Sequence, residues 1–236
     1  SSFILNDKKL FDQANEYFNN LKKILSTNVF HCYNRDRKEI DVFLEDYSYF
    51  CLLLVSMYEI KNDKASIKLC SELMKYTWEN FYDEENVILQ KNIKTNNDLF
   101  VKPIDIIDNN IPNGNSIFLL ALNKIFNITE NNIYKNKIEN LTKSFYSLID
   151  RNYSQMFSYY KTLDICENNI TFTFYGFNDE FQEIRDFLLL NYFEKSTFIY
   201  KKSKNEQYIL ICKNQTCSQK LKNISEINKY LNERSI

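Results

Sequence analysis

The sequence predicts a mainly α-helical chain of paired helices that ends in a small α/β unit. Three observations carry this expectation. Gly and Pro number only 2 each among 236 residues, too few for the many tight turns of an all-β fold. Apolar residues recur at helical spacing in block after block through the first two thirds of the chain. The pattern then changes after Glu167, where Ile170 to Tyr175 alternates β-branched and aromatic residues as a strand does.

The elements follow in order. Residues 7–26 place Leu10, Phe11, Ala14, Tyr17, Phe18, Leu21, Ile24 and Leu25 on one helical stripe, with Asn6 or Asp7 as the cap. Residues 40–60 form a second helix that is apolar nearly all round (Phe43, Leu44, Tyr47, Phe50, Cys51, Leu54, Val55, Tyr58), so burial on most sides is expected. Asn62-Asp63 starts a third, facing Ala65, Ile67, Leu69, Cys70, Leu73, Met74, Tyr76 and Trp78 inward. Residues 86–110 have little helical signal, hold Pro103, and read as a long loop with short strands; such loops are often functional. A fourth helix is expected from about Asn115 to Asn127, a fifth over 131–150 and a sixth over 153–165, joined as αα-hairpins. The tail then reads as a strand to Tyr175 stopped by Gly176, a helix over 178–193, strands over 197–200 and 207–212, and a last helix over 224–233. The expected division is residues 1–166 for the helical hairpins and 167–236 for the α/β unit.

Composition narrows the function classes. The 30 basic and 31 acidic residues leave a net charge of −1, so no global field favours nucleic acid or an anionic membrane. The longest apolar run, Tyr49 to Val55, is too short to span a bilayer. A single His and six scattered Cys make a zinc site unexpected. No cofactor and no metal are expected, and the thiols are expected mostly reduced and buried. Ser1-Ser2-Phe3, without Met, reads as a cut end; the expected location is the cytoplasm, or an organelle lumen if a removed leader carried a targeting signal.

Four motifs carry chemistry. Glu45-Asp46-Tyr47 lies near the start of the second helix, where adjacent carboxylates point about 100° apart. Burial raises a carboxyl pKa and can make a general acid; read alone, the same pair serves the helix macrodipole. Asp108 to Ser116 is a turn feeding a helix: Pro112 fixes φ, Gly114 permits positive φ, and Asn115 or Ser116 can cap. His31 stands on the loop before the second helix. Cys212-x4-Cys217 places one thiol at a strand end and a second five positions on, close enough for a disulfide across a turn or for two packed thiols.

In their order and spacing, Val42-Phe43-Leu44-Glu45-Asp46-Tyr47, Ile111-Pro112-Asn113-Gly114-Asn115-Ser116 and Tyr208-Ile209-Leu210-Ile211-Cys212 leading to Cys217 resemble the C-terminal part of the YyaL/spermatogenesis-associated protein 20 family. That resemblance implies a partial (α/α) toroid of helical hairpins, related to N-acylglucosamine 2-epimerases and six-hairpin glycosidases, in a protein whose N-terminal domain is thioredoxin-like. It implies that Glu45 and Asp46 at the cleft mouth act as acid/base or bind sugar hydroxyls, while Tyr47, Lys102, Asp108 and Asn115 orient a sugar-like ligand. It assigns Cys212 and Cys217 a redox role beside the packing one. The implied function is carbohydrate binding or modification, isomerase-like or glycosidase-like once joined to the missing part, with another chain as the supplier of the remaining toroid. The rival readings are a redox-linked scaffold and a non-catalytic helical interaction module completed by another chain. The chain departs from the family pattern in four places. Asn113 replaces Ser, Gln219-Lys220 stand where a Pro follows the second Cys, and Glu84 to Leu89 lacks the hairpin glycines. With one His, a two-histidine epimerase mechanism cannot be assembled.

Overall fold

The computed structural model describes residues 5, 7–25, 42–93, 103–104, 106–204, 206–213 and 216–234. His31 and Lys102 lie outside them. Two compact units emerge: Glu16–Asp164, and Ser1–Asn15 together with Ile165–Ile236. The first fifteen residues thus group with the C-terminal unit, whereas the sequence reading places all of 1–166 with the helices. Among the described residues, no helix is long and apolar enough to cross a membrane.

The helical unit is made of αα-hairpins. Helix α1 (Lys8–Leu25) is followed by α2 (Leu44–Lys61), α3 (Lys64–Phe81), the strand pair β1 (Tyr82–Asp83) and β2 (Ile88–Leu89), α4 (Gly114–Thr129), α5 (Asn132–Asn152) and α6 (Phe157–Glu167). Helix α2 packs on both α3 and α4, and α4 packs on α5. Its all-round apolar sequence is explained by this: Leu44, Tyr47, Phe50, Cys51, Leu54, Val55, Met57 and Tyr58 are all buried. Truncating Leu54 to Ala in such a site costs about 3 kcal/mol.

The two hairpins turn by the same device. Helix α2 ends at Asn62 in the left-handed region (φ 57°), and Asp63 then caps α3 by accepting from Ala65 N. Helix α4 ends at Glu130 (φ 56°), and Asn131 caps α5 by accepting from Ile133 N. A left-handed residue closes one helix and an Asx side chain opens the next, so two residues suffice to reverse the chain.

Helix α1 departs from expectation. Of its apolar stripe, Phe18 is buried, whereas Tyr17 and Leu21 are exposed. Phe18 joins the hydrophobic core of the hairpins, and Lys22 Nζ adds an ion pair with Asp63 at 2.7 Å. The sixth helix begins at Phe157, after a 3-10 turn over Tyr153–Gln155, four residues later than the periodicity predicts.

The α/β unit contains β3 (Ile170–Tyr175), α7 (Glu180–Tyr192), β4 (Ser196–Lys201), β5 (Tyr208–Lys213), β6 (Thr216–Cys217) and α8 (Ile224–Glu233). The sheet order is β4-β3-β5-β6. Strand β3 is central: β4 lies parallel to it through the α7 crossover, and β5 lies antiparallel on its other side. One face carries Phe172, Phe174 and Phe198, and Phe181 of α7 packs edge-on against Phe174 at 6.3 Å. Gly176 stops β3 at φ +69°, where a Cβ would meet Gln207 Cγ at 3.2 Å and Glu206 O at 3.3 Å, so only glycine fits without strain.

Candidate functional site

The helical unit gathers three helix N-termini through one chain of contacts. Leu44 N at the start of α2 donates to Lys91 O at 2.9 Å, and Lys91 N donates to Pro103 O at 2.8 Å. The Tyr49 hydroxyl of α2 donates to Pro112 O, just before α4, at 3.1 Å. Asp108 then joins the start of α4 to the start of α6.

Asp108 is a clamp. Its carboxylate accepts from Asn113 N at 3.0 Å, Asn113 Nδ2 at 2.9 Å and Ser158 N at 2.7 Å, and from the Ser158 hydroxyl in a short contact. Burial alone would raise its pKa; the four donors outweigh burial and hold the carboxyl below the ordinary Asp range. An acceptor so fully engaged belongs to the scaffold of the rim.

The turn into α4 uses different residues from those expected. Asn113 is the cap: its Oδ1 accepts from Ser116 N at 2.9 Å, while its Nδ2 also reaches Ile106 O at 3.1 Å. Asn115 does not cap. It has no exposed surface, and its amide pairs with the backbone of Leu89, accepting from Leu89 N at 3.2 Å and donating to Leu89 O at 2.8 Å. Asn115 therefore mimics a strand neighbour for β2. Gly114 sits in the first turn of α4; the one glycine with positive φ is Gly176.

The three consecutive residues at the start of α2 separate sharply. Tyr47 is 5% exposed, stacked on Tyr76 at 5.4 Å and set edge-on to Phe81 at 5.5 Å. Burial, with the Tyr76 phenol added, pushes the Tyr47 hydroxyl far above its ordinary pKa, so it stays neutral and packed. Asp46 Oδ2 accepts from Phe43 N at 2.9 Å, the N3 half of a capping box. Glu45 is half-buried and makes no hydrogen bond or ion pair with the described residues. The ring of Phe43 lies beneath Lys91 Nζ at 5.3 Å, which brings a cation to the same end of α2.

The structure thus brings Glu45, Asp46, Asp108 and Asn115 to one end of the helical unit, buries Tyr47 there, and leaves Lys102 outside the described residues. Ser158, Asn113 and Tyr49 are the rim residues that spacing did not point to; each acts through contacts distant in sequence. Among the described residues no group of three or more His, Cys, Asp or Glu side chains could hold a metal ion. In the α/β unit, Cys212 and Cys217 face each other across β5 and β6 and are joined in a disulfide. Cys51 and Cys70 are buried thiols.

No protein-family model matches the sequence, and no curated protein matches it either. Among solved structures, the chain is similar to an inactive variant of an alpha-1,6-mannanase of Salegentibacter sp. in complex with alpha-1,6-mannotriose. That likeness has 12% identity and a TM-score of 0.47 over 61% of this chain and 42% of that one. It is also similar to a polysaccharide lyase, with 16% identity and a TM-score of 0.34 over 46% of this chain and 32% of that one. The chain spans less than half the length of either protein.

Proposed function

We propose that this chain is part of a YyaL-like protein whose helical hairpins bind or modify a carbohydrate, with Glu45 as the reacting or hydroxyl-binding carboxylate. The observation that carries this reading is the contrast among three rim carboxyl groups. Asp108 is saturated by four donors, Asp46 caps its own helix, and Glu45 makes no hydrogen bond or ion pair among the described residues. A carboxylate with no partner among the described residues, at the positive end of a helix, is available to accept from a sugar hydroxyl or to exchange a proton with one. The ordered motifs at 42–47, 111–116 and 208–217 support the family reading, since two of them build this rim.

In this reading the neighbours of Glu45 support it. Asp46, Asp108 and Asn115 hold the backbone on which Glu45 is presented, and Tyr47 fills the core below it. The test is calorimetric titration of the intact chain with a panel of mono- and oligosaccharides, beside Glu45→Gln and Asp46→Asn. Millimolar or tighter binding that Glu45→Gln weakens at least tenfold is the expected result. Absence of binding by the parent chain, or equal binding by Glu45→Gln, overturns the reading.

A further inference from the structure

We propose that the Cys212–Cys217 disulfide is an exchangeable electron-accepting site that a protein dithiol opens, and that it is not a structural staple. This goes beyond the carbohydrate reading and does not depend on it.

The bond is redundant with the hydrogen bonds around it. The bond links partners that are already in register on β5 and β6. The same stretch is held on both sides by hydrogen bonds. Ser218 N donates to Ile211 O at 2.8 Å, and Ile211 N donates to the Ser218 hydroxyl at 3.1 Å. Further on, Ile209 and Leu221 exchange backbone bonds at 2.8 and 3.0 Å. A cross-link between cysteines only five positions apart removes little freedom from the unfolded chain, because the entropic gain grows with the loop closed. The bond therefore adds little that the ladder does not already supply.

The bond is also accessible. Strand β6 is the outer edge of the sheet, Cys217 on it is exposed, and Cys212 is half-buried. A thiolate can approach the Cys217 sulfur from solvent. By contrast Cys51 and Cys70 are fully buried in the helical unit, and burial pushes the Cys70 thiol up, which keeps it inert.

The exchange balances as follows. A partner thiolate attacks Cys217 Sγ and forms a mixed disulfide. The Cys212–Cys217 bond breaks, and Cys212 Sγ leaves with the electron pair and takes a proton from water. The partner's second thiol, as thiolate, then attacks its own half of the mixed disulfide and releases Cys217, which is protonated in turn. The partner dithiol is oxidised to a disulfide, and this pair gains two electrons and two protons. A dithiol is required because its second thiol resolves the intermediate.

The test treats the intact folded chain with millimolar dithiothreitol, removes the reductant, alkylates at neutral pH without denaturant, and maps the modified cysteines by mass spectrometry. Circular dichroism and thermal unfolding follow the same samples. The expected result is that Cys212 and Cys217 become alkylated within about an hour while Cys51 and Cys70 do not. The spectrum should be unchanged and the melting temperature should fall by less than about 5 °C. Reduction only under denaturing conditions overturns the proposal, as does loss of the sheet signal on reduction. The double variant Cys212→Ser with Cys217→Ser gives an independent check. It should fold with the parent spectrum; failure to fold makes the bond structural and overturns the proposal.

Discussion

Lys124 Nζ lies 3.0 Å from both carboxylate oxygens of Glu59, with the Lys124 side chain 6% exposed and that of Glu59 0% exposed. The pair crosses the contact between α2 and α4, inside an otherwise apolar packing. Removing one partner leaves the other charge buried without its principal counter-ion. Lys124→Met alone or Glu59→Leu alone is expected to cost about 3–5 kcal/mol, while the double variant recovers most of that loss. Urea unfolding of the parent chain, both singles and the double measures the cycle. Additive losses show that the pair is not coupled.

Asp108 gives the chain an acid-sensitive joint. Its folded pKa lies below the ordinary value of 3.8. A depressed carboxyl contributes stability that is fully present above the unfolded pKa and is lost as pH falls through the folded value. The joint between α4 and α6 should therefore weaken only below about pH 4. Asp108→Asn, which turns acceptor lone pairs into N–H donors facing Ser158 and Asn113, should cost about 2 kcal/mol at pH 7 and remove this part of the acid dependence. An unchanged unfolding midpoint across pH 2–7 in that comparison contradicts the clamp.

Asn115→Ala should destabilise the chain by about 3 kcal/mol, because it strands the buried N–H and C=O of Leu89 together. Hydrogen exchange provides the local readout. The Leu89 amide, protected by Asn115 Oδ1, should exchange faster in the variant relative to amides in the centre of α2. Equal protection factors show that β2 does not need this side chain.

Glu45 and Asp46 should separate in stability as they do in geometry. Asp46→Ala removes the acceptor for Phe43 N and should cost about 1 kcal/mol. Glu45→Gln removes only a charge near a helix N-terminus and should cost less than about 0.5 kcal/mol. Thermal melts of the two variants decide it. A larger loss for Glu45→Gln would make Glu45 a structural residue and withdraw it from the site.

The elements were legible in the sequence where the signal is local. The alternation in Ile170 to Tyr175, the stop at Gly176 and the helix over 224–233 coincide with the strand, the positive-φ turn and the helix of the structure. Asp63 could be read as a cap from its place before the apolar run. The site was less legible because its residues act across long separations. Asp108 and Ser158 are 50 residues apart and Asn115 and Leu89 are 26 apart, so neither partnership leaves a spacing in the chain. Sequence alone points to Asn115 or Ser116 as the cap and the structure uses Asn113, because all three residues suit helix starts and only the backbone turn after Pro112 selects among them. The buried Glu59–Lys124 pair also had no local sign: each residue is a common helix former, and only the packing of α2 on α4 brings them together.

Strand β3 stands at the centre of its sheet, yet both neighbours are made after it. As the chain emerges from a ribosome, β4 arrives first and forms the parallel pair through α7. The other edge of β3 must wait for Tyr208–Lys213. A premature stop anywhere between Lys201 and Tyr208 would release a chain with Phe172 and Phe174 on a strand whose outer hydrogen-bonding edge is open, a template for pairing with another such chain. Short truncations of this tail should therefore be recovered as aggregates, even though they leave every residue of the helical hairpins intact.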